Sequence, residues 1–128
     1  MTNQSDPDLK RTNDRLADIG RRRFEKDHLI FRERETGDKA FIIAEGKVEI
    51  LRETSEGNKS VRTLHAGSMF GEMALIDDQP RMASAKAINS HVDLLVINQK
   101  MFRKKLEGAD LFTRGLINIL AKTARNND

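Results

Sequence analysis

From residue 28 to residue 98 the chain repeats one device: a short run of alternating apolar and polar residues, closed by a turn. "HLIFRE", "KAFIIAEG", "KVEILRE", "SVRTLHAG", "SAKAIN" and "VDLLVIN" all follow it. A period of two belongs to strands with one buried face, and the residues are those that fit a pleated surface. Turns come at "ETGDKA" around Gly37, "AEGK" around Gly46 and "SEGNKS" around Gly57, where glycine supplies backbone angles that other residues resist. Many short strands at this spacing predict a sandwich or small barrel and argue against alternating βαβ units. With 128 residues there is room for one such core and not for two.

The flanks read differently. Residues 1 to 8 are polar and aperiodic and are expected to be a disordered leader. Residues 9 to 23 are expected to form a short helix anchored by Leu9, Leu16 and Ile19. After the strands the period becomes helical. Asn98 is placed to cap "QKMFRKKLEG" and Gly108 to end it, after which Asp110 caps "LFTRGLINILAKTAR". Phe112, Leu116, Ile119 and Leu120 share one stripe of that last helix, with Gly115 inside it.

Composition narrows the function classes. The absence of cysteine removes disulfides, thiol catalysis and Cys-based zinc sites. No run has the length of a membrane span, and the N-terminus lacks a signal-peptide core, so a cytoplasmic protein is expected. Residues 10–26 hold seven basic groups against three acidic ones, and residues 100–125 hold seven against two, whereas residues 27–99 hold nine against twelve. An anion held in the middle of the chain must therefore be held by local groups, because the general field there is negative. His28, His65 and His91 are scattered and read as lacking second metal ligands. Asp77–Asp78 reads as an exposed turn, and no Ser/His/Asp or paired-carboxylate arrangement stands out. A metal-dependent jelly-roll enzyme is accordingly disfavoured, and catalysis with it.

The chemistry concentrates in "FGEMALIDDQPRMASA", residues 70–85. "GEMALI" has the length of about one and a half helical turns, and "DDQP" stops it. Gly71 lets a ligand approach the backbone, and the first-turn N–H groups attract anions. Pro80 fixes the backbone ahead of Arg81, whose planar fork matches two phosphate oxygens. Glu72 cannot bind phosphate but accepts from a hydroxyl. Together they describe a small phosphorylated sugar; the competing reading is an ion pair between Glu72 and Arg81 that staples a turn.

This segment resembles the phosphate-binding cassette of the cyclic nucleotide-binding domain family: F-G-E-aliphatic-A/G-L, a variable turn, then P-R-x-A-S/T. It appears as Phe70, Gly71, Glu72, Met73, Ala74 and Leu75, then Pro80, Arg81, Met82, Ala83 and Ser84. "GDKAFIIAEGKVEI" and "LHAGSMFGE" resemble the approach to it, and the likeness covers about residues 24 to 125. It implies an eight-stranded β jelly-roll barrel over about 24–97, with a short cassette helix and two C-terminal helices, in one domain over 9–128. It also implies that Glu72 accepts the ribose 2′-OH and Arg81 pairs with the cyclic phosphate. Amides near Gly71, Ala74 and Met82 would complete the cradle, Met73 would pack beside ribose or base, and Val61 and Leu64 would be neighbours. Met82 stands where cGMP-selective members often place threonine, so cAMP is expected over cGMP, with Ser84 further along. The family often has glycine where this chain has Asp27 and Arg34, so the first turns are expected to differ in shape. With no tryptophan or tyrosine, a cover for the base must come from the last helix, where Leu116, Asn118, Leu120 and Lys122 are candidates.

The expected function is a non-catalytic sensor that binds cAMP, or cGMP, as ligand and needs no other cofactor. Binding would reposition the C-terminal helix to regulate an unidentified protein partner or an attached effector domain. The alternatives are the sensor part of a transcription regulator and an interaction scaffold without ligand. Direct nucleic-acid binding is not expected, since nothing after residue 125 would enter a groove. The chain reads equally as a stand-alone protein and as a piece of a longer one.

Overall fold

The computed structural model describes residues 20–126. In chain order these form strands β1 (Gly20–Phe24), β2 (Leu29–Phe31), β3 (Lys39–Thr54), β4 (Gly57–Leu64) and β5 (Met69–Phe70). A one-turn helix α1 (Met73–Ile76) follows, then β6 (Ser84–Asn98), α2 (Gln99–Glu107) and α3 (Leu111–Asn126). The predominantly β architecture with a cassette helix and two C-terminal helices is as the sequence implies.

The long strands β3 and β6 carry the fold, and each is bent in its middle. Their antiparallel register shifts on both sides of Glu45, where β6 jumps from Asp93 to Ile88. Gly46 (φ 101°) and Asn89 (φ 71°) take the left-handed angles there, and a side chain on Gly46 would strike His91 O at 2.7 Å. Beyond the bend the partners change. The first part of β3 pairs with β5 and its second with β4. The first part of β6 pairs with β2 and its second with β1. The six continuous strands thus make two four-stranded layers, in orders β1-β6-β3-β5 and β2-β6-β3-β4. The eight strands expected from sequence are these segments, with "KAFIIAEG" and "KVEILRE" joined, and "SAKAIN" and "VDLLVIN" joined.

Burial explains why the bends are needed. Phe41 and Ile43 are buried at strand spacing, but the next buried residue of β3 is Val48, which is out of phase with them. An irregularity that adds a residue restores the inward phase. On β6, Ala85 and Ala87 precede Val92, Leu94 and Val96 in the same way. These residues and Phe70 form the core. Phe31, Phe41 and Phe70 meet at its cassette end with ring centroids 5.4–6.0 Å apart.

Several expectations change. Residues 20–23, expected in the N-terminal helix, belong to β1, which is antiparallel to β6. Arg23 Nε and Nη2 donate to the two oxygens of Asp93 at 2.7 and 3.1 Å, and Arg22 stacks over Phe24 at 4.8 Å. At residues 20–23 these cross-strand gains outweigh a helical turn, since the expected helix's apolar anchors all precede Gly20. The leader 1–8 and the rest of the expected helix lie outside the described residues. His91 was read as lacking a second ligand, yet it stands two residues from Asp93 on β6. Its Nε2 is 3.9 Å from Asp93 Oδ2 and 3.5 Å from Glu45 Oε2, which the bend brings alongside. Asp93 is at the same time held by Arg23, so the bend gathers Glu45, His91 and Asp93 into one polar cluster.

The helix caps are as expected. The Asn98 side chain accepts from Met101 N at 2.8 Å, Gly108 closes α2, and Asp110 Oδ1 accepts from Thr113 N at 2.7 Å. Among the described residues, no helix is long and apolar enough to cross a membrane. Among the described residues, Gly115 has no neighbouring atom where a side chain would stand.

Candidate functional site

The cassette folds into a wall of a cavity of about 360 Å³. Gly71 turns the chain out of β5 with φ 72°, and α1 follows at once with its own Ala74 and Leu75 buried. Met73 on α1, Val61 and Leu64 on β4, and Ile50 on β3 give the cavity apolar sides. Glu72 and Arg81 face it from either side of the turn.

Arg81 is the most constrained polar group of the site. Its Nη1 donates to Gly71 O at 3.1 Å and its Nη2 to Lys39 O at 2.8 Å. The guanidinium lies 4.0 Å over the Phe31 ring, a favourable cation–π geometry. Its backbone is held as well: Arg81 N donates to Glu35 O and Arg34 N donates to Arg81 O, both at 2.8 Å. Burial pushes the pKa below its ordinary value, while Asp38, Glu35 and Glu72 act in the opposite sense. Arginine starts so high that it remains a cation throughout. Two of its five N–H donors are used by backbone oxygens. The Glu72 carboxylate is exposed and, among the described residues, takes no ion pair or hydrogen bond. The stapling ion pair between Glu72 and Arg81 is therefore not formed.

Of the residues singled out from sequence, Val61, Phe70, Gly71, Glu72, Met73, Ala74, Arg81, Met82 and Ala83 all line the cavity, as does Leu64. Ser84 does not. It begins β6, is buried, and its Oγ accepts from Glu33 N at 2.9 Å, so its hydroxyl joins the β2 turn to the cassette. The Ala74 amide already donates to Gly71 O at 3.2 Å. Asp77–Asp78 is not a free turn: Asp77 is held by Arg125, and Asp78 accepts from Gln99 Nε2 at 3.2 Å. None of the four cover candidates lines this cavity. Leu116 and Leu120 are exposed, and Asn118 and Lys122 line a second cavity beside α1.

Sequence reasoning missed Phe31, Gln79, Arg52, Arg62 and Arg125, which also line the main cavity, and Gly37. Gly37 reads as a turn glycine, but a Cβ there would meet Arg81 Nη2 at 2.6 Å. Arg52 and Arg62 lie on the paired strands β3 and β4, and their places followed once that hairpin was assigned. Nothing local marks Arg125 or Gly37. At Asp27 (φ 70°) and Arg34 (φ 74°) the backbone is left-handed, so these turns keep a glycine-type shape although neither residue is glycine.

Comparison with known proteins agrees with this geometry. The family model for the cyclic nucleotide-binding domain matches residues 21–108. A cGMP-dependent protein kinase of Toxoplasma gondii is 40% identical over 86 residues, which are 67% of this chain and 8% of the kinase. A CRP-like cAMP-activated global transcriptional regulator of Mycobacterium tuberculosis is 31% identical over 106 residues, 82% of this chain and 47% of the regulator. The chain thus spans less than half the length of either relative. The EAL enzyme Bd1971, solved in cGMP-bound and cAMP-bound forms, superposes with a TM-score of 0.76 at 33% identity, over 84% of this chain and 29% of that one. On the model match, the two-layer β fold and the cassette that faces its cavity, this chain belongs to the cyclic nucleotide-binding domain family.

Proposed function

We propose that the chain is a non-catalytic sensor domain of the cytoplasm that binds a 3′,5′-cyclic nucleotide, cAMP in preference to cGMP, and regulates an attached domain or a partner. One observation carries it: Arg81 is held rigidly beside Gly71 at a cavity with apolar sides, with the free Glu72 carboxylate across from it. The guanidinium pairs with the cyclic phosphate and Glu72 accepts the ribose 2′-OH, while Met73, Val61 and Leu64 pack on sugar and base. Contacts of α2 and α3 with the cassette give ligand binding a route to the C-terminal helices. A ligand shifts them only by its difference in affinity for the two arrangements.

For the base, Met82 offers no hydroxyl to guanine, which favours adenine. Arg52 and Arg62 on the cavity wall support a second reading, since a guanidinium matches the two acceptors O6 and N7 of guanine. Calorimetric titration with cAMP, cGMP and 5′-AMP decides among these. The expected result is one-to-one binding with cAMP tightest and 5′-AMP much weaker. Tighter cGMP binding would move the base reading to the arginines, and no binding by either cyclic nucleotide would leave the fold as a scaffold.

A further inference from the structure

Phe31 ends β2, and the pairing of that strand with β6 slips just before it. Leu29 stands opposite Lys86 and Phe31 opposite Ala85, so Ile30 is an extra residue on β2. Neighbouring side chains of a regular strand point to opposite faces, but a bulge re-aims the residue that follows it. Ile30 and Phe31 accordingly both pack on the core. Turned inward, the Phe31 ring has a fixed seat. Phe41 and Phe70, both buried, lie with their centroids 6.0 and 5.9 Å from it. Its edge reaches Gly71, where an added Cβ would stand 3.1 Å from Cε2, and the Arg81 guanidinium lies 4.0 Å over its face.

The hydrogen bonds of Arg81 do not by themselves fix its plane. Nη1 donates to Gly71 O and Nη2 to Lys39 O, and bonds at two corners leave the group free to swing about the line between them. A ring laid against one face stops that swing on its side, and the negative face of the ring attracts the cation. A guanidinium meets a phosphate through donors that lie in its own plane, so the tilt of that plane decides whether two oxygens can be met at once. A plane already set before the ligand arrives needs little further ordering on binding.

We infer that Phe31 is the positioning residue of the anion site: its ring sets the plane of Arg81, and through Arg81 it sets the affinity for the cyclic phosphate. The inference rests on the cyclic nucleotide reading above. It gives the slip in β2 a part in binding, since the slip is what brings an aromatic face under the guanidinium.

Replacing Phe31 by mono-, di- and trifluorinated phenylalanine drains the ring face of negative charge with almost no change of shape. The test is calorimetric titration of that series with cAMP, with Phe31→Leu beside it. Affinity should fall stepwise, by at least about fivefold at the trifluorinated ring, and Phe31→Leu should lose as much or more. In an Arg81→Gln background, followed by NMR titration to millimolar cAMP, the series should be flat within twofold, because the ring acts only through the cation. In a Glu72→Gln background the stepwise fall should persist. The Arg81 Nε–H resonance of the ligand-free protein should lie upfield in the ring current and move downfield in Phe31→Leu. A flat series in the wild-type background, a fall that persists in Arg81→Gln, or an Nε–H that does not move would overturn the inference and leave the cyclic nucleotide reading in place. Melting temperatures that drop in step with affinity along the fluorinated series would overturn it too, by assigning Phe31 to packing alone. A wild-type protein that binds neither cAMP nor cGMP would remove the cyclic nucleotide reading, and this inference with it.

Discussion

A methyl group on Gly37 would lie 2.6 Å from Nη2 and 2.9 Å from Nε of Arg81, well inside van der Waals contact. The guanidinium cannot yield easily, because Gly71 O, Lys39 O and the Phe31 ring fix it from other sides. Gly37→Ala should therefore weaken cAMP binding tenfold or more while the protein stays folded, as read by calorimetry beside circular dichroism. Arg81→Ala should go further, with a loss on the order of 2–5 kcal/mol for removing one side of a charge pair; a change below tenfold would mean that Arg81 is not the phosphate ligand. Arg34 is a different case. Its left-handed backbone costs roughly 1–2 kcal/mol in a residue with a side chain, and its ion pair with Glu53 is well exposed, at 72% and 55%. Arg34→Gly should raise the denaturant midpoint by the equivalent of about 1 kcal/mol. A lower midpoint would show that the pair with Glu53 outweighs the strain.

Among the elements, the two C-terminal helices depend on caps that were legible at once, because a cap is written within four residues of sequence. Asn98→Ala removes the acceptor for Met101 N and should cost about 1 kcal/mol of unfolding free energy. Asp110 adds a pH signature. Its pKa is lowered because the Thr113 backbone and side chain donate to it. Asp93 is lowered by its bond to Arg23, and Asp38 by Lys39. For carboxylates held below their unfolded value, the stabilisation is complete above that value, about 4, and is lost as pH falls through the folded value. Melting temperature should therefore decline below about pH 4, and Asp110→Asn should flatten that decline. An equal decline in the variant would assign it to the other carboxylates. Strand β1 was not legible in this way. Its Arg-rich sequence carries no clear period, and it becomes a strand only because the outer edge of β6 and Asp93 are there to receive it.

For the protein as a unit, ligand binding and stability are linked. A ligand at a hundred times its dissociation constant stabilises the folded state by about 2.7 kcal/mol if the unfolded chain does not bind it. For a domain of this size that raises the melting temperature by roughly 10 °C, so a thermal scan with cAMP should show the shift and one with 5′-AMP should not. A shift with both would mean that the cavity does not select the cyclic phosphate. The strand pattern, the turns, the caps and the entire cassette are local: each is set by residues within a few positions of one another, where propensity and spacing act directly. The bends that fold six strands into two layers were half visible, since sequence placed breaks at Gly46 and after Asn89 but could not say that the chain runs on through them. Gly37 beneath Arg81, β1 against β6, and Arg125 on Asp77 lay beyond reading. Each joins segments 40 to 80 residues apart, and nothing in either segment encodes which partner the packed core will bring to it.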